Sequence, residues 1–292
     1  MMRMLAEFVM RGRLQAVSMA LVGTVFPFLA FLTQGALGLV TLRKGWQEGF
    51  FVTLWACLPA LATLWFGKVG AVMALGGIAV LLVAYLAALV LRLTVSWPAT
   101  LAVTVAASTL SALLVATLTD NVTAELTVFF RRFLETNAEL TTAAEAELFS
   151  DWTITRASGV IAYWISLSVL VGVFVARWWQ SLLYNPGGFQ AEFHGLRLTL
   201  PLALASALGL VYCSTQGLDY IFWASVFGLP LLIAGIGLAH CVKAKYKLGT
   251  WSLVVLYFGL LFVPPFALAL SVIGLTDVWL DYRKRFNLMQ RS

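Results

Sequence analysis

Two histidines, three cysteines and thirteen carboxylates are the side chains from which this 292-residue chain could build a metal site or an acid–base pair. His194 and His240 lie far apart, and neither has a second ligand at the short spacing that brings two donors to one ion. Cys57, Cys213 and Cys241 stand singly in or beside apolar runs without a Cys-x-x-Cys pair, so neither a disulfide framework nor a zinc site follows. There is no glycine-rich phosphate loop and no nucleophile elbow. Glu192 and His194 form a pair that chance supplies easily. A coupled pump needs a membrane-embedded carboxylate or a discontinuous helix. Here Glu48, Asp219 and Asp277 sit at the ends of apolar runs, where water reaches them. No catalytic residue, metal or cofactor is therefore expected, and enzymatic activity is not.

The scaffold around these residues is set by composition. The chain is 61% hydrophobic and only 11% charged, against about 25% charged residues in an average soluble domain. A soluble fold of this length could not hide that much apolar surface, so lipid must serve as its solvent. The net charge of +6 would suggest nucleic acid in a soluble protein. The basic residues sit instead in short stretches between apolar runs, as they do in cytoplasmic loops, so no nucleic-acid partner is expected. No polar linker divides residues 1–292, which read as one membrane domain.

Apolar runs lie at about 16–42, 48–66, 70–93, 98–118, 157–177, 198–216, 218–240 and 249–281. The first and last exceed a single crossing and contain Pro27 and Pro264-Pro265. Proline removes a backbone donor and clashes with the preceding turn, so each long run is expected to fold back as two short helices, covered by the rest of the bundle. The expectation is an all-α polytopic bundle of about eight to ten hydrophobic segments, in a bacterial inner membrane with both termini cytoplasmic. Ten crossings leave only Lys68, Arg131, Arg132 and Arg156 outside, with the other basic residues among the 19 inside. Eight plain crossings divide them far more evenly, against the positive-inside rule.

Residues 119–156 form the one long hydrophilic stretch, rich in carboxylates. Leu126, Phe130, Phe133, Leu140, Ala144 and Leu148 recur there near helical spacing. This predicts a periplasmic amphipathic insertion, resting on the bundle or closing over a pocket. Most tryptophans, including Trp46, Trp65, Trp97, Trp178, Trp179 and Trp279, fall at segment ends and suit the headgroup layer. Trp55, Trp164 and Trp223 fall deeper and are candidate pocket aromatics. Small residues at four-residue intervals (Thr104, Ser108, Ala112 and Ala116; Ala205 and Gly209; Ala16 and Ala20) let helix backbones approach closely. Packing within the chain is the plain explanation. Ala16 and Ala20 are also a candidate docking face for another subunit.

The most particular stretch is the interfacial loop 178–197, expected on the cytoplasmic side. Trp178, Trp179 and Tyr184 precede Asn185-Pro186-Gly187-Gly188, which suits a turn with proline second and glycine third. Phe189, Glu192 and Phe193 follow on a second short element. This loop either joins two spans or couples to a partner. Near the C-terminus, Asp277 and Asp281 precede Arg283, Lys284 and Arg285, and ion pairing at the cytoplasmic surface is expected.

Through Trp178-Trp179-Gln180, Tyr184-Asn185-Pro186-Gly187-Gly188-Phe189, Glu192-Phe193 and Asp277-Val278-Trp279-Leu280-Asp281-Tyr282-Arg283, the chain resembles the YybS-like family of predicted bacterial membrane proteins, whose function is undefined. The resemblance spans about residues 13–285. More distantly, the chain is similar to the substrate-binding S components of energy-coupling-factor transporters. Those proteins dock through an Ala-x-x-x-Ala face that Ala16 and Ala20 would match. The chain departs from them in its extra hydrophobic segments and the 119–156 insertion. Two functions are carried forward. One is an S-component-like subunit that binds or transports a small molecule. The other is a scaffold or regulator that couples to a membrane or cytoplasmic protein through loop 178–197.

Overall fold

The computed structural model describes residues 1–67, 70–137, 148–149 and 151–286. Among them there is no strand. The helices, in chain order, are α1 (Met2–Arg11), α2 (Arg13–Val25), α3 (Ala30–Lys44), α4 (Trp46–Phe66), α5 (Ala71–Thr94), α6 (Trp97–Leu118), α7 (Val122–Thr136), α8 (Ile154–Tyr184), α9 (Gly188–His194), α10 (Leu200–Thr215), α11 (Ile221–Lys245), α12 (Trp251–Phe262), α13 (Pro264–Leu280) and α14 (Tyr282–Arg285). Five helical stretches are long and apolar enough to cross a membrane, and six if the bent pair α12–α13 counts as one span. The protein is thus an all-helical, multi-pass membrane protein. The count falls below the expected eight to ten because several apolar runs are short helices. The 13 residues of α2 reach only about 20 Å.

The fold is organised around α3. Every residue from Leu32 to Leu42 is buried, because small residues let its neighbours close in. A Cβ on Gly38 would lie 2.7 Å from Ala176 Cβ, and one on Gly35 would lie 2.8 Å from Val175, both residues of α8. On α8, Gly172 faces Gln34 in the same way. The Thr33 hydroxyl donates to Ala20 O (2.7 Å), tying α3 back onto α2. At its far end, α3 turns sharply into α4 at Gly45, whose φ of +109° only glycine adopts readily. Arg92 of α5 covers that helix end, donating to Thr41 O (3.2 Å) and Leu42 O (2.7 Å) and satisfying carbonyls left orphaned by the last turn. Arg13, which opens α2, is paired with Glu48 at the start of α4 (2.5 Å). The start of α2 and the end of α3 therefore lie on one face of the bundle. On α6, Thr104, Ser108 and Ala112 are fully buried, and that helix packs on α5 and α8.

At the other end of the chain, α13 packs beside α11. Gly235 and Gly274 meet there, and each faces the carbonyl of the turn before the other, Leu270 O and Leu231 O. Tyr282 packs by Leu238 and Cys241, so α13 runs parallel to α11. The short connection 246–250 starts α12 at the end of α11, and α12 and α13 are bent by 114° from each other. Both ends of the α12–α13 pair therefore reach the face that carries Arg13 and Arg92. Expectation placed this pair inside the bundle or against a cavity. Tyr257 of α12 lines a cavity, but the α12 side chains Trp251, Val254, Val255, Phe258, Leu261 and Phe262 are exposed. At the bend Val263 and Phe266 donate locally to Gly259 O (2.9 Å) and Val263 O (2.9 Å).

The opposite face has fewer charges. Glu125 of α7 accepts from Ala71 N (3.1 Å) and Val72 N (2.9 Å), capping α5. Arg156 at the start of α8 pairs with Asp219 (2.9 Å). The amphipathic helix expected over 119–156 is seen as α7. Its expected apolar positions Leu140 and Ala144 lie outside the described residues.

Candidate functional site

The 178–197 stretch is not a separate interfacial loop at its start. Residues 178–184 are the last turns of α8, a helix of 31 residues that projects about 46 Å, because no breaker occurs before Asn185. The turn follows: Gly188 N donates to Asn185 O (2.9 Å), with Pro186 second and Gly187 third at φ +85°. Ser181 braces it, its hydroxyl donating to Asn185 O (2.8 Å) and accepting from Phe189 N (3.1 Å). Tyr184, Asn185, Pro186 and Gly187 form the exposed tip, and the Arg43 guanidinium sits 3.8 Å over the Tyr184 ring. Beneath the tip is a small polar cleft of about 220 Å³ between Arg43, Arg177 and Glu192.

Behind the tip, α9 is bolted to the bundle. Glu192 receives Arg177 in a two-pronged pair (2.8 and 2.5 Å) and the indole N–H of Trp97 (3.3 Å). It makes no contact with His194 of the kind its spacing hinted at. Phe189 and Phe193 join an aromatic chain from Trp97 through Phe174 to His240 and Tyr257. Successive ring centroids are 5.0 Å (Trp97–Phe174), 5.6 Å (Phe174–Phe193), 5.4 Å (Phe193–His240) and 6.0 Å (His240–Tyr257). His240 Nε2 and the Tyr257 hydroxyl are 2.9 Å apart. Phe174, Phe189, Phe193, His240 and Tyr257 border a cavity of about 370 Å³.

Two arginines fasten the end of α13 to the stretch after α9. Arg197 donates to Asp277 O (3.1 Å), Val278 O (2.7 Å) and the Asp281 carboxylate (2.8 Å). Arg283 pairs with Asp277 and donates to His194 O (2.6 Å) and Leu196 O (2.7 Å). The expected pairing is therefore present in two parts: Asp281 meets the exposed Lys284 at the surface, whereas the Asp277–Arg283 pair is buried, Asp277 being 1% exposed and Arg283 6%. Burial pushes the His194 imidazole below its ordinary pKa, helped by the positive charges of Arg283 and Lys243.

Other candidates are dispersed. Ala16 and Ala20 are buried against the chain's own helices, with α2 packed on α3 and α4. Their face is thus filled from within and is not open to another subunit. Trp223 is buried and donates to Thr155 O (2.9 Å), whereas Trp55 and Trp164 lie exposed on the bundle's side. The three indoles share no cavity with one another in the sites described here. Trp178 is partly exposed, but Trp179 is fully buried against Gly35, not at the headgroups, because the α8 face it occupies turns toward α3. A cavity of about 750 Å³ lies between α7 and the start of α5, lined by Phe129, Phe133, Val128 and Met73 together with Glu125 and Arg132. Among the described residues, no group of three His, Cys, Asp or Glu is placed to hold a metal ion. Sequence reasoning missed Trp97, Phe174, Arg177, Lys243 and Tyr257. Only the helical spacing of Arg177 and Gln180 beside the loop could have drawn notice to one of them.

No family model, curated protein or solved structure matches this chain.

Proposed function

We propose that this chain crosses a bacterial inner membrane with both tails on the basic side, and that it serves there as a non-catalytic scaffold or regulator. Its partner is a protein engaged by the exposed tip Tyr184-Asn185-Pro186-Gly187. The carrying observation is the platform just described. Arg177, Trp97 and Ser181 hold the tip's support rigid from one side, and Arg197 and Arg283 brace the neighbouring stretch from the other. A turn held this firmly, with Asn185, Pro186 and Gly187 exposed and Arg43 packed only on the Tyr184 ring among the described residues, is preorganised for binding. The two-way path of α2–α3 and of α12–α13 supports the shared side for the tails. In the five long apolar helices the charged residues lie within about two turns of a helix end, which disfavours passage of a hydrophilic solute through the bundle. The reading as a YybS-like protein belongs with this proposal, and its 192–193 and 277–283 motifs lie side by side here. Replacing Asn185-Pro186-Gly187-Gly188 by alanines is expected to leave membrane insertion intact and to abolish co-purification of the partner. Retained co-purification would remove the coupling role. Tags on the two tails reporting opposite sides would remove the topology.

One observation favours the S-component-like alternative, a small-molecule-binding subunit. The cavity under α7 is large enough for a ligand, and apolar with one charge of each sign in its lining. If it works this way, native mass spectrometry of the purified protein shows a small molecule that Phe129→Ala releases. A wild-type protein that carries none ends this alternative.

A further inference from the structure

The 370 Å³ cavity beside α9 has a chemistry that neither reading uses. Its walls are aromatic: Phe174 and Phe193, with the His240–Tyr257 pair across from them. At one end stand the Lys243 ammonium and His194. Lys243 forms no ion pair among the described residues, and the carboxylates around it are already committed: Glu192 to Arg177, Asp277 to Arg283, and Asp281 to Arg197 and Lys284. The cavity is thus left with an uncompensated cation above an apolar floor. Tyr257 belongs to α12, whose other outward side chains, Val254, Phe258 and Leu261, are exposed on the apolar flank of the bundle. The floor therefore continues onto a surface that lipid tails cover, while Lys243 lies in the last turn of α11, at the height of the basic face.

We infer that this cavity binds an anionic amphiphile: a phosphate or carboxylate head on Lys243, with the first part of an apolar chain against Phe174, Phe193 and Tyr257. The volume suits a head and a short stretch of chain, since ligand cavities start near about 300 Å³. A bare inorganic anion would leave the aromatic wall unused, and a neutral apolar molecule would leave the ammonium desolvated without a partner. The same head-and-tail chemistry could arrive from the bilayer, as an anionic phospholipid, or from water, as a single-chain amphiphile.

Full-length protein in detergent would be titrated with phosphatidylglycerol, phosphatidylcholine and octyl phosphate, with bound adducts counted by native mass spectrometry. Binding of phosphatidylglycerol above phosphatidylcholine, weakened about tenfold or more by Lys243→Gln through loss of one charge-assisted contact, supports the inference with a bilayer source. The same Lys243 dependence seen for octyl phosphate alone supports it with a water-borne source. Phe193→Ala is expected to weaken either ligand, and Lys284→Gln, a lysine 87% exposed outside the cavity, to change neither. Equal binding to wild type and Lys243→Gln overturns the site, provided the variant keeps the wild-type unfolding temperature. Should that temperature fall, the wild type decides: equal binding of phosphatidylglycerol and phosphatidylcholine with no binding of octyl phosphate overturns the site. None of these variants lies in the 185–188 turn, so this site and the partner role can fail separately.

Discussion

The two hairpins at the ends of the chain, α2–α3 and α12–α13, read alike as sequence and are built oppositely. Both come from apolar runs too long for one crossing and interrupted at proline. In the first, α3 is the most enclosed helix of the fold, held by Gly35 and Gly38 against α8. In the second, α12 presents most of its large side chains outward, and the pair is held through α13, by the Gly235–Gly274 contact and by arginines at its end. Within a membrane, hydropathy alone does not say whether a helix meets protein or lipid, since both surroundings are apolar. Small side chains do, because they alone let backbones approach closely enough for dispersion to hold them. The inner hairpin is secured by packing of α3; in the outer one only α13 is packed, and pins hold its end.

The sharpest way to break this contrast is to fill the glycine contact of the inner hairpin. Gly38→Leu drives a branched side chain into Ala176, where even a single Cβ is too close. Overpacking of this kind costs about 1–3 kcal/mol and more when backbones must separate; here they must. The paired change is Leu261→Ala on α12, at a side chain 78% exposed, which is expected to stay within about 0.5 kcal/mol of wild type. Thermal unfolding in detergent should show a large fall for the first and almost none for the second. A large effect of Leu261→Ala would mean that α12 is covered by protein, and the contrast would be lost.

The pins are tested by Arg283→Met. It strands the buried Asp277 carboxylate and removes the donors to His194 O and Leu196 O. Breaking a buried pair from one side typically costs about 3–5 kcal/mol. Partial relaxation at the chain's edge should keep the effect below that of Gly38→Leu. Its counterpart on the inner hairpin, Arg13→Met, removes an exposed ion pair and should change little. Limited proteolysis supplies the readout: cleavage is expected to appear after residue 245 in Arg283→Met and nowhere new in Arg13→Met. If both variants behave alike, the pins do not hold the outer hairpin.

Much of the framework was legible in the sequence. Four apolar runs, at 48–66, 70–93, 98–118 and 198–216, coincide with helices to within two residues at each end, since hydrophobic length is a local property. The 185–188 turn was legible because proline and glycine fix backbone angles by themselves. Side-chain partnerships were not. Glu192 meets Trp97 across 95 residues and Arg283 meets Leu196 across 87, and nothing local marks either end of such a contact. Trp179 shows the same limit. Its place near a segment end pointed to the headgroups, but which face of α8 turns inward is decided by Gly35 on another helix. Gly235 and Gly274 passed unnoticed, because a glycine among apolar residues becomes a contact only when its partner helix is known.

The smallest effect expected is a pH dependence confined to the pinned end. His194, whose carbonyl receives Arg283, is held below its ordinary pKa by burial and by the neighbouring charges of Arg283 and Lys243. Its folded form therefore takes up a proton less readily than its unfolded form. As pH falls through the ordinary histidine value of 6.5, the unfolded state is protonated first and stability declines; above that value this group contributes no slope. Asp281 acts in a different window. Burial opposes its ionisation, but the Lys284 backbone and side chain and the charge of Arg197 outweigh that and lower its pKa below 3.8. Its contribution is lost only as pH falls through that range. Unfolding temperatures at about pH 7.5 and about pH 5.5 thus separate the two histidines from the carboxylates, and His194→Gln separates His194 from His240. Wild type should lose more between them than His194→Gln, and that difference should shrink when Arg283→Met has already released the pin. An equal loss in His194→Gln would place the titrating group elsewhere and free the outer hairpin from any dependence on this residue.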